Sequence, residues 1–229
     1  MLIEGVLFDL YGTLIPCPDR DAHRKMLNGM SSTLGVDRDM FERQWRDSYK
    51  ERTGGVGKDG PGYLRYLTER MGLKLEQELL EEASVFWADL NREVMKFFTD
   101  VEPTLSELNQ RGLRVGLMSN CTCHLPPQLE KSSLRKYFKS VSFSTELGLV
   151  KPEPEFFREA VRMLGTRTDR TMFVGDGDNS ELSAARGAGL VPVKIARPEV
   201  VDSYSHAGRE PWEPSIEGLN ELFELIDVI

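Results

Sequence analysis

The sequence predicts an α/β protein, built as a doubly wound parallel sheet that carries an inserted α-helical unit. Two observations support this fold class. Five short apolar segments alternate with helical patterns, as expected for buried parallel strands joined by crossover helices. A stretch of about 80 residues after the first of these segments shows helical periodicity and no strand pattern.

The five predicted strands are apolar or β-branched runs bounded by residues that break regular structure. Runs of this length and composition are typical of strands buried on both faces of a sheet. They are Ile3–Phe8, Leu113–Met118, Ser140–Phe143, Thr171–Val174 and Val191–Ile195.

Two helices of the sheet layer have clear boundaries. Pro103–Arg111 ends at Gly112, and glycine is common directly after a helix. Pro154–Leu164 places its large apolar side chains on one face and ends at Gly165.

The C-terminal region is predicted to be a loop followed by a helix. Residues 197–214 are rich in proline and polar side chains, and His206 is expected at the surface of this loop. Ser215–Ile226 is predicted to form the final amphipathic helix.

Residues 18–97 are predicted to form a separate α-helical unit, which we call the helical insertion. Its helices are predicted over Arg20–Leu34, Arg38–Arg52, Pro61–Met71 and Glu76–Phe97. Residues 1–17 and 98–229 are predicted to form the α/β core. Because open α/β sheets bind ligands beyond the carboxyl ends of their strands, the helical insertion is expected to lie above those ends.

Composition and charge narrow the functional classes. The 229 residues carry a formal net charge of -8, which argues against nucleic acid as a partner, because phosphate backbones require basic surfaces. No apolar run approaches the ~20 residues of a transmembrane helix, and the N-terminus lacks the pattern of a signal peptide. Cys17, Cys121 and Cys123 are expected to be free thiols in a cytoplasmic protein. The oligomeric state is not predicted.

Polar side chains follow each of the first four predicted strands. These residues are Asp9, Ser119, Asn120, Lys151, Asp176, Asp178 and Glu181. The carboxyl ends of parallel strands meet at one edge of a sheet, so these side chains are expected to share a crevice. Any one of them alone is more consistent with an ordinary turn or surface residue, but four such sets in order favour a functional site.

The residue types in this crevice indicate phosphoryl chemistry. Crowded carboxylates raise one another's pKa unless positive charge lies among them. Lys151 supplies one such charge, and an all-oxygen site suits Mg²⁺ as a second. A site of this kind is expected to attract a phosphoryl group, with Ser119 and backbone amides binding its oxygens and Asp9 placed to attack phosphorus.

Four segments resemble the ordered motifs of the haloacid dehalogenase-like hydrolases. They are "FDLYGTL", "LMSNCT", "GLVKPEPEFF" and "VGDGDNSELSAARGAGL". The resemblance covers nearly the whole chain, and it implies a Rossmann-like core in which the helical insertion acts as a cap. It further implies that Asp9 is the nucleophile and forms an aspartyl ester. Ser119 and Asn120 would hold the transferred group or position the nucleophile, and Lys151 would neutralise charge.

The resemblance also implies a set of metal ligands. Mg²⁺ would be held by Asp9, by the backbone carbonyl of Tyr11, by Asp176 and by Glu181, the last directly or through water. The family commonly has Asp where this chain has Glu181. Asp178 fits the spacing of the motif less well.

Tyr11 departs from the pattern of the family's phosphatases, which usually carry a second Asp at this position. A tyrosine with a pKa of about 10 is a poor general base at neutral pH. Losing general acid–base help costs about 10²- to 10⁴-fold in rate. The family's metal-independent dehalogenases resemble this chain in having Tyr there, and they release halide, which needs no proton.

Three functions stay open at this point. The favoured one is a Mg²⁺-dependent phosphatase of a small anionic metabolite, bound by Ser119, Asn120, Lys151 and Arg46. The second is a metal-independent 2-haloacid dehalogenase, in which Arg43 or Arg46 would receive halide or carboxylate. The third is a non-catalytic binding protein on the same fold. Asp176 favours the phosphatase, because a buried carboxylate beside Asp9 is unfavourable without a cation.

Overall fold

The computed structural model describes residues 2–200 and 209–228. Within these residues, six strands form a fully parallel sheet in the order β3-β2-β1-β4-β5-β6. The strands are β1 Gly5–Phe8, β2 Arg114–Ser119, β3 Ser140–Phe143, β4 Thr171–Gly175, β5 Val191–Ile195 and β6 Ser215–Ile216. The predicted doubly wound α/β fold is therefore confirmed, and all five predicted strands are present.

The helices of the described residues fall into two groups. Those between β1 and β2, in chain order, are α1 Arg20–Thr33, α2 Arg38–Asp47, α3 Tyr49–Thr53, α4 Gly60–Arg70, α5 Gln77–Val94 and α6 Val101–Gln110. Those after β2 are α7 Leu125–Glu130, α8 Ser144–Leu147, α9 Pro154–Leu164, α10 Glu181–Gly187 and α11 Leu222–Val228. None of the described helices is both long enough and apolar enough to cross a membrane.

The sheet is buried on both faces. Val6 and Phe8 of β1 point into one hydrophobic cluster, which also contains residues of α6, α7 and α11. Leu7, between them, points into a second cluster formed with α9 and α10. Side chains that alternate between two apolar layers require a nearly continuous apolar strand, which is the pattern that predicted β1.

Helices α1, α2, α4 and α5 have a hydrophobic cluster of their own, which runs from Met26 to Val94. An aromatic group lies at its centre, where the ring centroids of Trp45 and Trp87 are 5.0 Å apart and those of Trp45 and Tyr63 are 5.6 Å apart. A separate apolar cluster is what an independently packed unit needs. The residue boundaries of the helical insertion stay a prediction.

The helix predicted over Arg38–Arg52 is interrupted at Ser48, and α2 and α3 lie on either side of it. The Ser48 hydroxyl hydrogen-bonds to the Gln44 carbonyl and to the Tyr63 hydroxyl, and it is fully buried. A serine hydroxyl that bonds to the preceding turn competes with the backbone ladder and bends a helix.

The helix predicted over Ser215–Ile226 is wrong in its first half. Ser215–Ile216 pairs with β5 as the edge strand β6, and helix α11 begins only at Leu222. Ile216 is buried in the core while its backbone carbonyl accepts a hydrogen bond from Ala196. A strand of two residues is too short to produce a period in the sequence. The expectation for His206 lies outside the described residues.

Candidate active site

The topology brings the ends of β1 and β4 side by side. In the order β3-β2-β1-β4-β5-β6 the chain winds outward in both directions from this pair, and such a switch point opens a crevice at the carboxyl ends. Asp9 directly follows β1 and Asp176 directly follows β4, and each is at most 5 % exposed. The Asp9 backbone N–H donates to the Val174 carbonyl at 2.8 Å, which extends the ladder to the carboxylate.

Gly12 lets the chain after β1 pass close to Asp176. Its φ is +78°, in the left-handed region that favours glycine. A Cβ on Gly12 would lie 2.3 Å from Oδ2 of Asp176. A side chain at position 12 would therefore collide with the Asp176 carboxylate.

Glu181 begins helix α10, and its carboxylate is almost completely buried. Oε1 accepts the Gly177 backbone N–H at 3.0 Å, and Oε2 accepts from Nζ of Lys151 at 2.6 Å. Both oxygens therefore already have protein donors. This arrangement suits a residue that orients Lys151 at least as well as it suits a direct metal ligand.

Lys151 lies between two carboxylates, those of Asp9 and Glu181. Burial by itself lowers the pKa of Lys151, but these two carboxylates raise it above its ordinary value. Burial raises the pKa of Asp9 to about 6, against the opposing effect of Lys151 and with a further increase from Asp176. Burial also raises the pKa of Glu181 well above its ordinary value. The ammonium is thus the group that opposes protonation of these two buried carboxylates.

Asn120 holds the backbone of Lys151 at both polar atoms. Its Nδ2 donates to the Lys151 carbonyl at 3.0 Å, and its Oδ1 accepts the Lys151 N–H at 2.7 Å. Ser119 is fully buried at the end of β2, and its hydroxyl contacts the Asn120 carbonyl at 3.4 Å. Asn120 therefore positions Lys151, whereas Ser119 is not among the residues that line the cavity at the strand ends.

Three carboxylates form a cluster that fits a cation. Asp9, Asp176 and Glu181 each offer an oxygen within 4.8 Å of the others, and all three are buried. Among the described residues, two cations contact this cluster, namely Lys151 and Arg209, whose Nε lies 2.7 Å from Oδ2 of Asp176. By formal charge, these three carboxylates and two cations carry one net negative charge, among oxygen donors of the type that Mg²⁺ prefers.

Tyr11 points toward the helical insertion, where it packs against the hydrophobic clusters of both parts of the chain. Its hydroxyl lies 3.5 Å from Oδ1 of Asn91, which also accepts from Thr122 at 3.2 Å. Burial raises the pKa of the Tyr11 hydroxyl above its ordinary value. The side chain therefore joins the two parts of the chain and stays protonated, so it is no general base.

A cavity of about 150 Å³ lies between the strand ends and the helical insertion. The walls from the α/β core include Asp9, Asn120, Lys151, Asp176 and Glu181, and those from the helical insertion include Tyr49, Arg52, Trp87 and Asn91. Both parts of the chain thus enclose one space with room for a small molecule.

Arg46 does not line this cavity, contrary to its predicted role in substrate binding. Its side chain is 60 % exposed and lies beside Asp47. Arg52 lines the cavity instead. The spacing of the segment indicates that Arg52 is buried, because residue 52 falls on the same helical stripe as Phe41 and Trp45, which are buried. Arg209 was not predicted, and nothing in its loop sequence indicates it.

The sheet is Rossmann-like and has a buried carboxylate at its switch point, beside a lysine and two further acids. This arrangement defines an enzyme core in which a carboxylate carries the chemistry. The chain belongs to the haloacid dehalogenase-like hydrolases, whose family model matches residues 3–189. The resemblance of the four motifs is therefore confirmed at the level of the family.

Two named phosphatase relatives are similar over nearly their whole length. The chain is 28% identical to the glyceraldehyde 3-phosphate phosphatase of Methanopyrus kandleri, over 98% of this chain and 97% of that protein. It is 29% identical to the ribulose-1,5-bisphosphate 5-phosphatase of Halopiger xanaduensis, over 98% and 100%. The crystal structure of a 2-haloacid dehalogenase from Pseudomonas syringae has a TM-score of 0.69 at 22% identity, with 99% of each chain covered. That likeness concerns the fold alone.

Proposed function

We propose that this protein is a Mg²⁺-dependent phosphatase of small phosphorylated metabolites that uses Asp9 as its nucleophile. The observation that carries the proposal is the cluster of three buried carboxylates at the switch point, with Lys151 among them. The phosphatase relatives support the same reaction.

The residues of the site supply the steps of hydrolysis. A carboxylate oxygen of Asp9 attacks phosphorus, the bond from phosphorus to the ester oxygen breaks, and the alkoxide leaves with a proton from solvent or from the substrate. Water then attacks the aspartyl phosphate, which releases phosphate and restores the Asp9 carboxylate. Lys151 neutralises charge during both steps, while Asn120 and Glu181 hold its backbone and its ammonium.

Mg²⁺ fits the cluster because all three acids offer oxygen donors and the described side chains around them carry a net negative formal charge. Asp9 and Asp176 would hold it, together with the Tyr11 carbonyl that the family resemblance implies, and Glu181 would complete the site. When bound, it would offset the negative charge of the phosphoryl oxygens.

The direct test is phosphate release from small phosphate esters, with Mg²⁺ or with EDTA, beside halide release from 2-chloropropionate. We expect phosphate release that needs Mg²⁺. Halide release that EDTA leaves unchanged would support the metal-independent dehalogenase, the candidate that Tyr11 favours. The absence of both activities would support a non-catalytic binding protein.

Tyr11→Phe is expected to retain phosphate release within about threefold, because the raised pKa of the hydroxyl already excludes it as a base. Tyr11→Asp is expected to speed hydrolysis of alkyl phosphates, since a carboxyl group can protonate an alkoxide. The measurement is kcat/KM for an alkyl and an aryl phosphate with each variant. A large loss in Tyr11→Phe, or no gain for alkyl esters in Tyr11→Asp, would contradict this account.

Arg209→Gln is expected to strengthen Mg²⁺ binding several-fold, because the guanidinium shares Oδ2 of Asp176 with the proposed metal site. The measurement is the Mg²⁺ concentration that gives half of the full rise in unfolding temperature. Arg158→Gln, at an exposed arginine paired with Glu155, serves as the control. Equal Mg²⁺ dependence in all three proteins would show that Arg209 does not compete with the metal.

A further inference from the structure

Arg52 is a buried cation that has no ion-pair partner among the described residues. Three basic side chains are buried in the part of the chain that the structure describes, namely Arg52, Lys151 and Arg197. Lys151 pairs with two carboxylates and Arg197 pairs with Asp100. Among the described residues, no carboxylate lies within ion-pair distance of Arg52. A charge removed from water is costly unless an opposite charge accompanies it.

The guanidinium of Arg52 is held in place by neutral groups. Its Cζ lies 4.2 Å from the centroid of the Trp45 ring, within the range of a cation–π contact. Its Nη1 donates to the Trp45 carbonyl and to the Tyr63 hydroxyl. These contacts fix the orientation of the planar guanidinium without neutralising its charge.

The rest of the Arg52 guanidinium is left for a ligand. Its hydrogen bonds all come from Nη1, and Nε and Nη2 have no hydrogen-bond acceptor among the described residues. Because Arg52 is only 5 % exposed and lines the cavity, a molecule bound in the cavity is the group that can reach this side chain. A planar fork with free N–H groups matches a carboxylate or a phosphate.

Tyr49 lies between Arg52 and the strand ends and contacts both. Its ring centroid lies 5.7 Å from Cζ of Arg52. At its other end, the Tyr49 hydroxyl accepts from Nδ2 of Asn120 at 3.3 Å. One tyrosine side chain therefore separates the guanidinium from the residue that holds Lys151, a span that a short carbon chain can bridge.

We infer that Arg52 is a specificity residue that binds a second anionic group of the substrate. The preferred substrates are then small phosphate monoesters that also carry a carboxylate or a second phosphate. The ester phosphate lies at Asp9 and Lys151, and the second anion lies at Arg52. This inference rests on the proposed function.

Matched substrate pairs test the inference. The carboxylate arm compares phosphoglycolate with ethyl phosphate, and the phosphate arm compares ribulose 1,5-bisphosphate with ribulose 5-phosphate. In each pair we call the substrate with two anionic groups the doubly anionic member and the other the singly anionic member. In the wild-type protein, kcat/KM is expected to be higher for the doubly anionic member of at least one pair. The arm with the larger ratio identifies whether carboxylate or phosphate is the second anion.

Arg52→Gln separates recognition from packing. For the doubly anionic member we expect a loss of about 10- to 100-fold in kcat/KM, mainly through KM, and for the singly anionic member a loss under about threefold. Arg52→Lys is expected to recover part of the preference because it keeps the charge. Arg92→Gln, at an exposed arginine of α5 paired with Asp89, is expected to change neither ratio.

Two results overturn the inference while leaving the proposed function intact. One is a wild-type protein that hydrolyses both members of each pair equally well in an Asp9-dependent way. The other is an Arg52→Gln variant that loses both members equally. Should Arg52→Gln fail to fold, the wild-type ratios alone decide. A folded protein that releases phosphate from none of the four esters overturns the proposed function, and this inference with it.

Discussion

Asp9→Asn is expected to abolish phosphate release, with a loss of at least about 10⁴-fold in kcat, because an amide cannot replace the carboxylate as a nucleophile. The substitution is isosteric, so the ladder bond from its backbone N–H to Val174 stays in place. The measurements are steady-state phosphate release and acid-quench trapping of radiolabelled phosphate on the protein. Label is expected on the wild-type protein and not on the variant.

The control for Asp9→Asn is Asp39→Asn, at an exposed carboxylate of α2. This variant is expected to keep the wild-type rate and the trapped label. Both variants are also compared by thermal unfolding, so that lost activity is separated from lost structure. An Asp9→Asn protein that is folded and retains more than a few per cent of the rate would exclude Asp9 as the nucleophile.

Lys151→Met is expected to lower the free energy of unfolding by about 3–5 kcal/mol at neutral pH, because it leaves two buried carboxylates without their shared partner. Activity is expected to fall with it, since the ammonium also contacts the proposed nucleophile. The measurement is denaturant unfolding of both proteins at several pH values. Lys139→Met, at an exposed lysine, is expected to change the free energy by no more than about 0.5 kcal/mol.

The cost of Lys151→Met is expected to depend on pH in a defined direction. Burial already raises the pKa of Asp9 to about 6 and that of Glu181 well above its ordinary value, and loss of the ammonium raises both further. A group whose pKa is higher in the folded than in the unfolded protein loses its stabilising contribution as pH rises through the folded value. The penalty is therefore expected to be larger at pH 8 than at pH 5. A penalty independent of pH would contradict the coupling of Lys151 to these carboxyls.

Much of the core site was predictable because its residues follow local rules. A short apolar run that stops at a carboxylate identifies a buried strand and the edge at which it ends, as for Asp9 and Asp176. The convergence of parallel strand ends then brings these side chains together without any knowledge of the helical insertion. The carboxylate cluster has the three acids expected, with Glu181 rather than Asp178 as its third member.

The cavity wall from the helical insertion was not predictable in the same way. Arg46 and Arg52 stand six residues apart in one charged segment, and only one of them is buried. The difference depends on Trp45 and Tyr63, which come from different helices and enclose the guanidinium of Arg52. Periodicity places Arg52 on the buried stripe of Phe41 and Trp45, but it does not show that aromatic rings from two helices would enclose the guanidinium.

By itself, the sequence determined the order of the strands along the chain, the acids and the lysine at their ends, and the replacement of an expected aspartate by Tyr11. These features depend on neighbours within a few residues or on rules that hold for every parallel sheet. Only the tertiary structure decided that Tyr11 contacts Asn91, that Arg209 reaches Asp176, and that Arg52 faces the cavity. The first two contacts join residues 80 and 33 positions apart, and the third depends on rings from two different helices, so packing rather than local propensity decides all three.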